Sequence, residues 1–143
     1  MYVKQLSIFL ENAKGSLVKL TKLLGEHNID LIALSIADTE QYGILRCIVK
    51  DADGASKVLR DAGYSMRETD VLAVCVDDQP GGLAGILEIL DNADISVEYL
   101  YSFVRSTGNY ALVIFQLQDL AAGEAKLREH GVKLLDHAKV NSL

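Results

Sequence analysis

Asp77-Asp78-Gln79-Pro80-Gly81-Gly82-Leu83 decides the reading of this chain, because Glu11-Asn12-Ala13-Lys14-Gly15-Ser16-Leu17 echoes it. Each stretch follows an alternating apolar run, Leu6, Ile8, Leu10 in the first copy and Leu72, Val74, Val76 in the second. Each opens an apolar pattern of helical period: Leu17, Leu20, Leu23, Leu24, and 66 positions later Leu83, Ile86, Ile89, Leu90. Alternation marks a half-buried strand and the three-to-four spacing marks an amphipathic helix. The chain is one strand-turn-helix unit written twice, and a repeat of this length sets the architecture.

Working outward, Val3 to Leu10 predicts a strand, Ser16 to His27 a helix that Asn28 ends, and Ile29 to Ala37 a second strand. Asp38-Thr39-Glu40-Gln41 reads as a hairpin loop before a third strand, Tyr42 to Lys50. Asp53 suits the N-cap of a helix from Gly54 to Ala62, Gly63 suits its C-terminal cap, and Tyr64 to Glu68 completes βαββαβ. The second unit predicts strands at Val71–Asp77, Ile95–Arg105, Asn109–Leu117 and Val132–Val140. Its helices are Gly82–Ala93 and Ala121–His130, with a turn at Ser106-Thr107-Gly108. The offset drifts to 68, so that Leu59-Arg60 and Gly63 fall on Leu127-Arg128 and Gly131. The expected organisation is α+β, with domains at 1–70 and 71–143 and two helices on one face of each antiparallel sheet. Units of roughly 70 residues are marginally stable alone, so the halves are expected to bury surface against each other.

The 143 residues carry a formal net charge of −6 with lysines and arginines scattered. Without a basic stripe, nucleic-acid binding lacks its main driving force. No apolar run is long enough to span a bilayer, and the amino terminus reads as a strand and not as a targeting segment, which predicts a cytoplasmic protein. Cys47 and Cys75 sit within strand patterns, as buried free thiols would.

Nothing assembles a catalytic set. His27 and His130 fall at helix ends, where an imidazolium meets the dipole, and His137 falls in the last predicted strand. Asp77 and Asp78 are adjacent, and adjacent residues on an extended chain point to opposite faces, so a solvated turn outweighs a metal site. The expectation is a non-enzyme with neither metal nor cofactor. Pro80-Gly81-Gly82 is no Walker loop, yet its glycines permit close backbone approach and the helix amides attract a carboxylate. The bland alternative is that Gly81 only supplies a turn angle. Tyr99 and Tyr101, two apart, share a face and either line a pocket or pack.

The pattern strand, [Asp/Glu]-[Asn/Asp]-x-x-Gly-x-Leu, helix, then Asn28-Ile29-Asp30 or Asp94-Ile95-Ser96, resembles the ACT domain, here as a tandem pair filling the chain. The second copy carries the family's Pro-Gly, and the first has Lys14 in place of that proline. The resemblance implies ferredoxin-like units paired edge to edge into an eight-stranded sheet, with a free amino acid bound at the interface between units. It places Asn12 and Asp78 as the first-loop polar residues, Gly15 and Gly81 as turn glycines, and Asp30 and Ser96 at the second strand. Amides near Ser16, or near Gly82 beside Pro80, would take the carboxylate, and Asp30 or Asn12 the ammonium. The expected function is an amino-acid-binding regulatory protein acting in trans on an enzyme or a transcriptional partner. The alternative is an assembly module of the same fold without a ligand. Apolar outer strands need covering, which predicts a homodimer.

Overall fold

The computed structural model describes residues 2–38, 41–103, 108 and 110–143. The first half runs β1 (Val3–Glu11), α1 (Ser16–Glu26), β2 (Leu31–Asp38), β3 (Tyr42–Val49) and α2 (Ala52–Asp61). Then come β4 (Met66–Asp77), α3 (Gly82–Asn92), β5 (Val97–Ser102), β6 (Tyr110–Leu117), α4 (Leu120–Glu129), β7 (Leu134–Leu135) and α5 (His137–Asn141). Residues 4–69 form one unit, and residues 70–143 with the first three residues form the other.

Each unit has the same strand order. In the first it is β2-β3-β1-β4 and in the second β5-β6-β4-β7, the arrangement of a ferredoxin-like βαββαβ unit. Register explains the core. Leu6 lies opposite Cys47 and Ile8 opposite Leu45, and these side chains meet Leu20 and Leu24 of α1 and Ala55 and Leu59 of α2. In the second unit Leu72 lies opposite Phe115 and Val74 opposite Val113, packing on Ile86, Leu90 and Leu127. The stripe residues Leu17 and Leu83 are exceptions, 42% and 37% exposed.

Three expectations change. Seven strands, not eight, occur among the described residues, because the predicted Tyr64–Glu68 and Val71–Asp77 strands are one continuous β4. No glycine or proline lies between them to break the extended chain. The last strand shrinks to Leu134–Leu135, because the Asp136 side chain accepts from the Lys139 N–H and starts a helix that contains His137. That N–H bond holds the Asp136 carboxyl below its usual pKa. Finally, the cap of α2 is Asp51 and not Asp53; its carboxylate accepts from Gly54 N at 3.0 Å, as Asp119 accepts from Ala122 N in α4. Thr39, Glu40, Ser106 and Thr107, in the predicted connections, lie outside the described residues.

Helix ends follow the repeat as well. The N–H of Ile29 donates to the Leu24 carbonyl and that of Ile95 to Leu90, each at 2.9 Å, with Asn28 and Asp94 at φ 57° and 58° between them. Gly63 and Gly131 serve α2 and α4 in the same way.

Tyr2 packs against the core of the second unit, and burial, then the nearby Glu124, raises its pKa. Tyr2→Ala should cost about 1–2 kcal/mol by lost apolar burial. Denaturant unfolding of the full chain reads this, and an unchanged midpoint would contradict the packing.

Candidate functional site

The two strand-to-helix turns are built by the same bonds. Ala13 N donates to the Glu11 carbonyl at 2.8 Å and Ser16 N to Ala13 at 3.2 Å; Gln79 N donates to Asp77 at 2.9 Å and Gly82 N to Gln79 at 3.0 Å. Gly15 and Gly81 both stand at φ 88°, with ψ −8° and −9°, at the N-caps of α1 and α3. A side chain there is strained. The N-cap residue of each helix is this glycine, which brings no side chain to cap the helix start. Lys14 in place of Pro80 leaves the turn geometry unchanged. The copies differ one residue later: a Cβ at Gly82 would collide with the Asp77 carbonyl oxygen, whereas the first unit carries Ser16 there.

Beside each turn lies a groove, and the two grooves use equivalent positions. The first, about 470 Å³, runs from Ser16 and Lys19 past Glu11, Phe9 and Tyr42 to Gly63 and Tyr64. The second, about 630 Å³, runs from Gly82 and Gly85 past Asp77, Cys75 and Tyr110 to Gly131 and Val132. The strand end, the helix start and the residues after the second helix make the same hollow in both.

The sequence-predicted residues divide between the two ends of α1 and α3. Ser16 lines the first groove, with Asn12 and Gly15 in the exposed turn beside it. Pro80, Gly81 and Gly82 line the second, with Asp78 exposed in its turn. Asp30 instead lines a separate hollow with Asn28, Lys50 and Asp51, and Ser96 another with Asp91 and Asp94. An 11-residue α1 separates the ends by roughly 16 Å, so no single unit gathers turn and strand start. Gly63 and Gly131 read in the sequence as helix ends and Tyr42 as the start of a strand, with nothing to mark them as groove residues.

The thiols differ. Burial pushes Cys47 up to about 12. Cys75 is also raised by burial, opposed by the charge of Lys133 and a hydrogen bond with Tyr110. The ring nitrogens of His27 and His130 meet the carbonyls of Leu23 and Lys126 at 3.0 and 2.9 Å, the helix-end role expected of them. Tyr99 and Tyr101 do share a face, opposite Gln116 and Ile114, while an irregularity after Val97 leaves that residue opposite Leu117. Tyr101 is buried.

The model of the ACT domain pair matches residues 1–138. The chain belongs to the ACT domain-pair family. Among solved structures, this ACT pair is similar to protein BT0572 from Bacteroides thetaiotaomicron, with 38% identity, TM-score 0.93, and coverage of 100% of this chain and 98% of that one. Its fold is also similar to the regulatory subunit of aspartate kinase from Thermus thermophilus, at 16% identity and TM-score 0.64 over 87% of each chain. The Thermus flavus subunit gives 14% identity and TM-score 0.62, over 90% of this chain and 92% of that one. No protein of curated function matches the sequence.

The turns generate a contrast between copies. Gly15→Ala and Gly81→Ala should each cost about 1–2 kcal/mol through the left-handed backbone. Gly82→Ala should add a steric cost of about 1–3 kcal/mol, while Ser16→Ala should stay within about 0.5 kcal/mol. Chemical denaturation of the four variants distinguishes them; equal losses at Ser16 and Gly82 would sink the stated difference.

Proposed function

We propose that this ACT pair is a regulatory protein that binds a free amino acid at its strand-to-helix turns and acts in trans on a partner of amino-acid metabolism, an enzyme or a transcriptional regulator. The observation that carries the reading is the recurrence of one turn, with one glycine geometry, in a chain of the ACT family. The regulatory subunits of aspartate kinase that share the fold support a regulatory and non-catalytic role. Residues 1–70 and 71–143 are taken as the two functional domains, and the cytoplasm as the setting; no helix among the described residues is long and apolar enough to cross a membrane.

The geometry supports a site completed by a second copy. Asn12, Gly15 and Ser16 stand at one end of α1 and Asp30 at the other, so a unit of another protomer set antiparallel brings its strand start to this turn. The same holds for Asp78, Pro80, Gly81 and Gly82 with Ser96. Strand β2 fits such a contact: it is outermost in its unit, Leu34 and Ile36 are exposed, and no charge or proline interrupts Leu31–Ala37. Edge strands usually carry such guards. A ligand seated between protomers binds the assembled state better than the separated one, which is the differential affinity that control requires. The same apolar edge favours, as a second reading, an assembly module without a ligand.

A thermal-shift screen against the twenty amino acids separates the two. Binding at a hundred times the dissociation constant adds about 2.7 kcal/mol, a rise of several degrees. Asp30→Ala and Ser96→Ala should then lower the response unequally. If no amino acid shifts the melting point, the assembly reading replaces the sensor.

A further inference from the structure

We propose that the flank of α1 and β2 in one copy docks on the flank of α3 and β5 in a second copy, first unit against second unit. This rests on the second-copy site proposed above and names the surfaces that meet. Leu34 and Ile36 of the outermost strand β2 stand opposite Cys47 and Leu45, which belong to the core that α1 and α2 cover. Both therefore lie on the helix side of the sheet, yet they are 39% and 44% exposed. Helix α1 buries Leu20 and Leu24 and leaves Leu17 and Val18 exposed.

A hollow places the matching flank of α3. Ala84, Leu87, Glu88 and Asp91 line it together with Val97 of β5, the outermost strand of that unit. Val18, Thr21, Lys22 and Gly25 hold the same helical positions 66 residues earlier, so this flank of α1 lies over β2. With Leu17, Leu34 and Ile36 it makes one uncovered apolar face, the kind of surface that marks a contact. The second unit offers less: Leu83 and Leu100 are exposed there, and Leu100 stands on the helix side opposite Phe115.

Charge selects the occupant. From Ala13 to Gly25 there are three lysines, Lys14, Lys19 and Lys22, and no acid. From Asp77 to Phe103 there is no lysine or arginine, and Glu88, Asp91, Asp94 and Glu98 are exposed. Asp30, the acid at the start of β2, shares its hollow with Lys50. Two second-unit flanks would set acids against acids, and two first-unit flanks would set Lys22 against Lys22. Unlike flanks bring Lys22 to Glu88 and Asp91. In antiparallel order they also bring the Lys14 turn to the end of α3 that carries Asp91 and Asp94. Exposed ion pairs add little affinity each, but like charges exclude a wrong partner and unlike ones fix the register. The apolar side chains of both flanks supply the buried area. The docking also sorts the site. The turn at Ser16 meets the strand start with Ser96 of the second copy, and the Pro80-Gly81-Gly82 turn is the one that receives Asp30.

Sedimentation velocity of the intact chain over a dilution series at low salt reads the association. Lys22→Glu alone, and Glu88→Lys with Asp91→Lys, should each raise the dissociation constant about tenfold or more. An equimolar mixture of the two variants, or one chain carrying all three changes, should return to the value of the unchanged chain, because every docking again sets unlike charges together. The three side chains are exposed, so the variants are expected to stay folded, which an unchanged circular-dichroism spectrum verifies. If only one of the two variants alters the association, or neither does, like units pair and the mixed docking falls while the second-copy reading stands. If both weaken it and the mixture does not recover, these charges do not meet and the mixed docking falls. If the unchanged chain is monomeric throughout the series, the mixed docking and the second-copy site fall together.

Discussion

A φ of 88° at Gly15 and at Gly81 is the constraint on which the rest of this ACT pair depends. The chain must leave a strand and enter a helix within four residues, so that α1 and α3 lie back across the sheets they follow. Only a residue without a Cβ takes that angle without strain. Once the turn is made, its two short backbone bonds are fixed and the helix start is left without a side-chain cap. The helix then drops Leu20 and Leu24, or Ile86 and Leu90, onto the sheet. The core, the groove and the open helix start all follow from one backbone conformation.

Small cores explain the other economies of the chain. Each unit has about 70 residues, a size at which burial offsets chain entropy only narrowly. A single strand, β4, serves as the last strand of one unit and the first of the next, so no linker is left to order. Tyr2, at the beginning of the sequence, packs against the core of the second unit. A truncated half therefore loses more than its own sequence boundary suggests.

Much of this was legible in the residues. The alternation in Leu6, Ile8, Leu10 and in Leu72, Val74, Val76 set the strands, and Gly15, Gly63, Gly81 and Gly131 set where helices begin and end. What the sequence concealed was non-local. Met66–Asp77 reads as two strands because its middle, Arg67-Glu68-Thr69-Asp70, is polar; only the pairing of both ends shows that it never turns. Asp53 reads as the cap of α2, and the bond from Gly54 N moves that role to Asp51. Phe9 reads as the polar-side member of an alternating strand, and its place beside Tyr42 comes from the β1–β3 register. The separation of Asp30 from Gly15 follows from the length of α1. A family motif can align both residues and still leave them far apart within one unit.

The two copies share a frame and differ in the groups set on it. The turns are alike, but Gly82 and Gly85 stand where the first unit has Ser16 and Lys19, and Cys75 stands where it has Phe9. On the proposed reading, that difference lets the two turns bind an amino acid unequally. Backbone hydrogen exchange with and without an amino acid that raises the melting point addresses this most directly. The account predicts slowed exchange at residues 15–19, at residues 81–85, or at both. Protection confined to regions away from both turns, or none at all despite stabilisation, would contradict it.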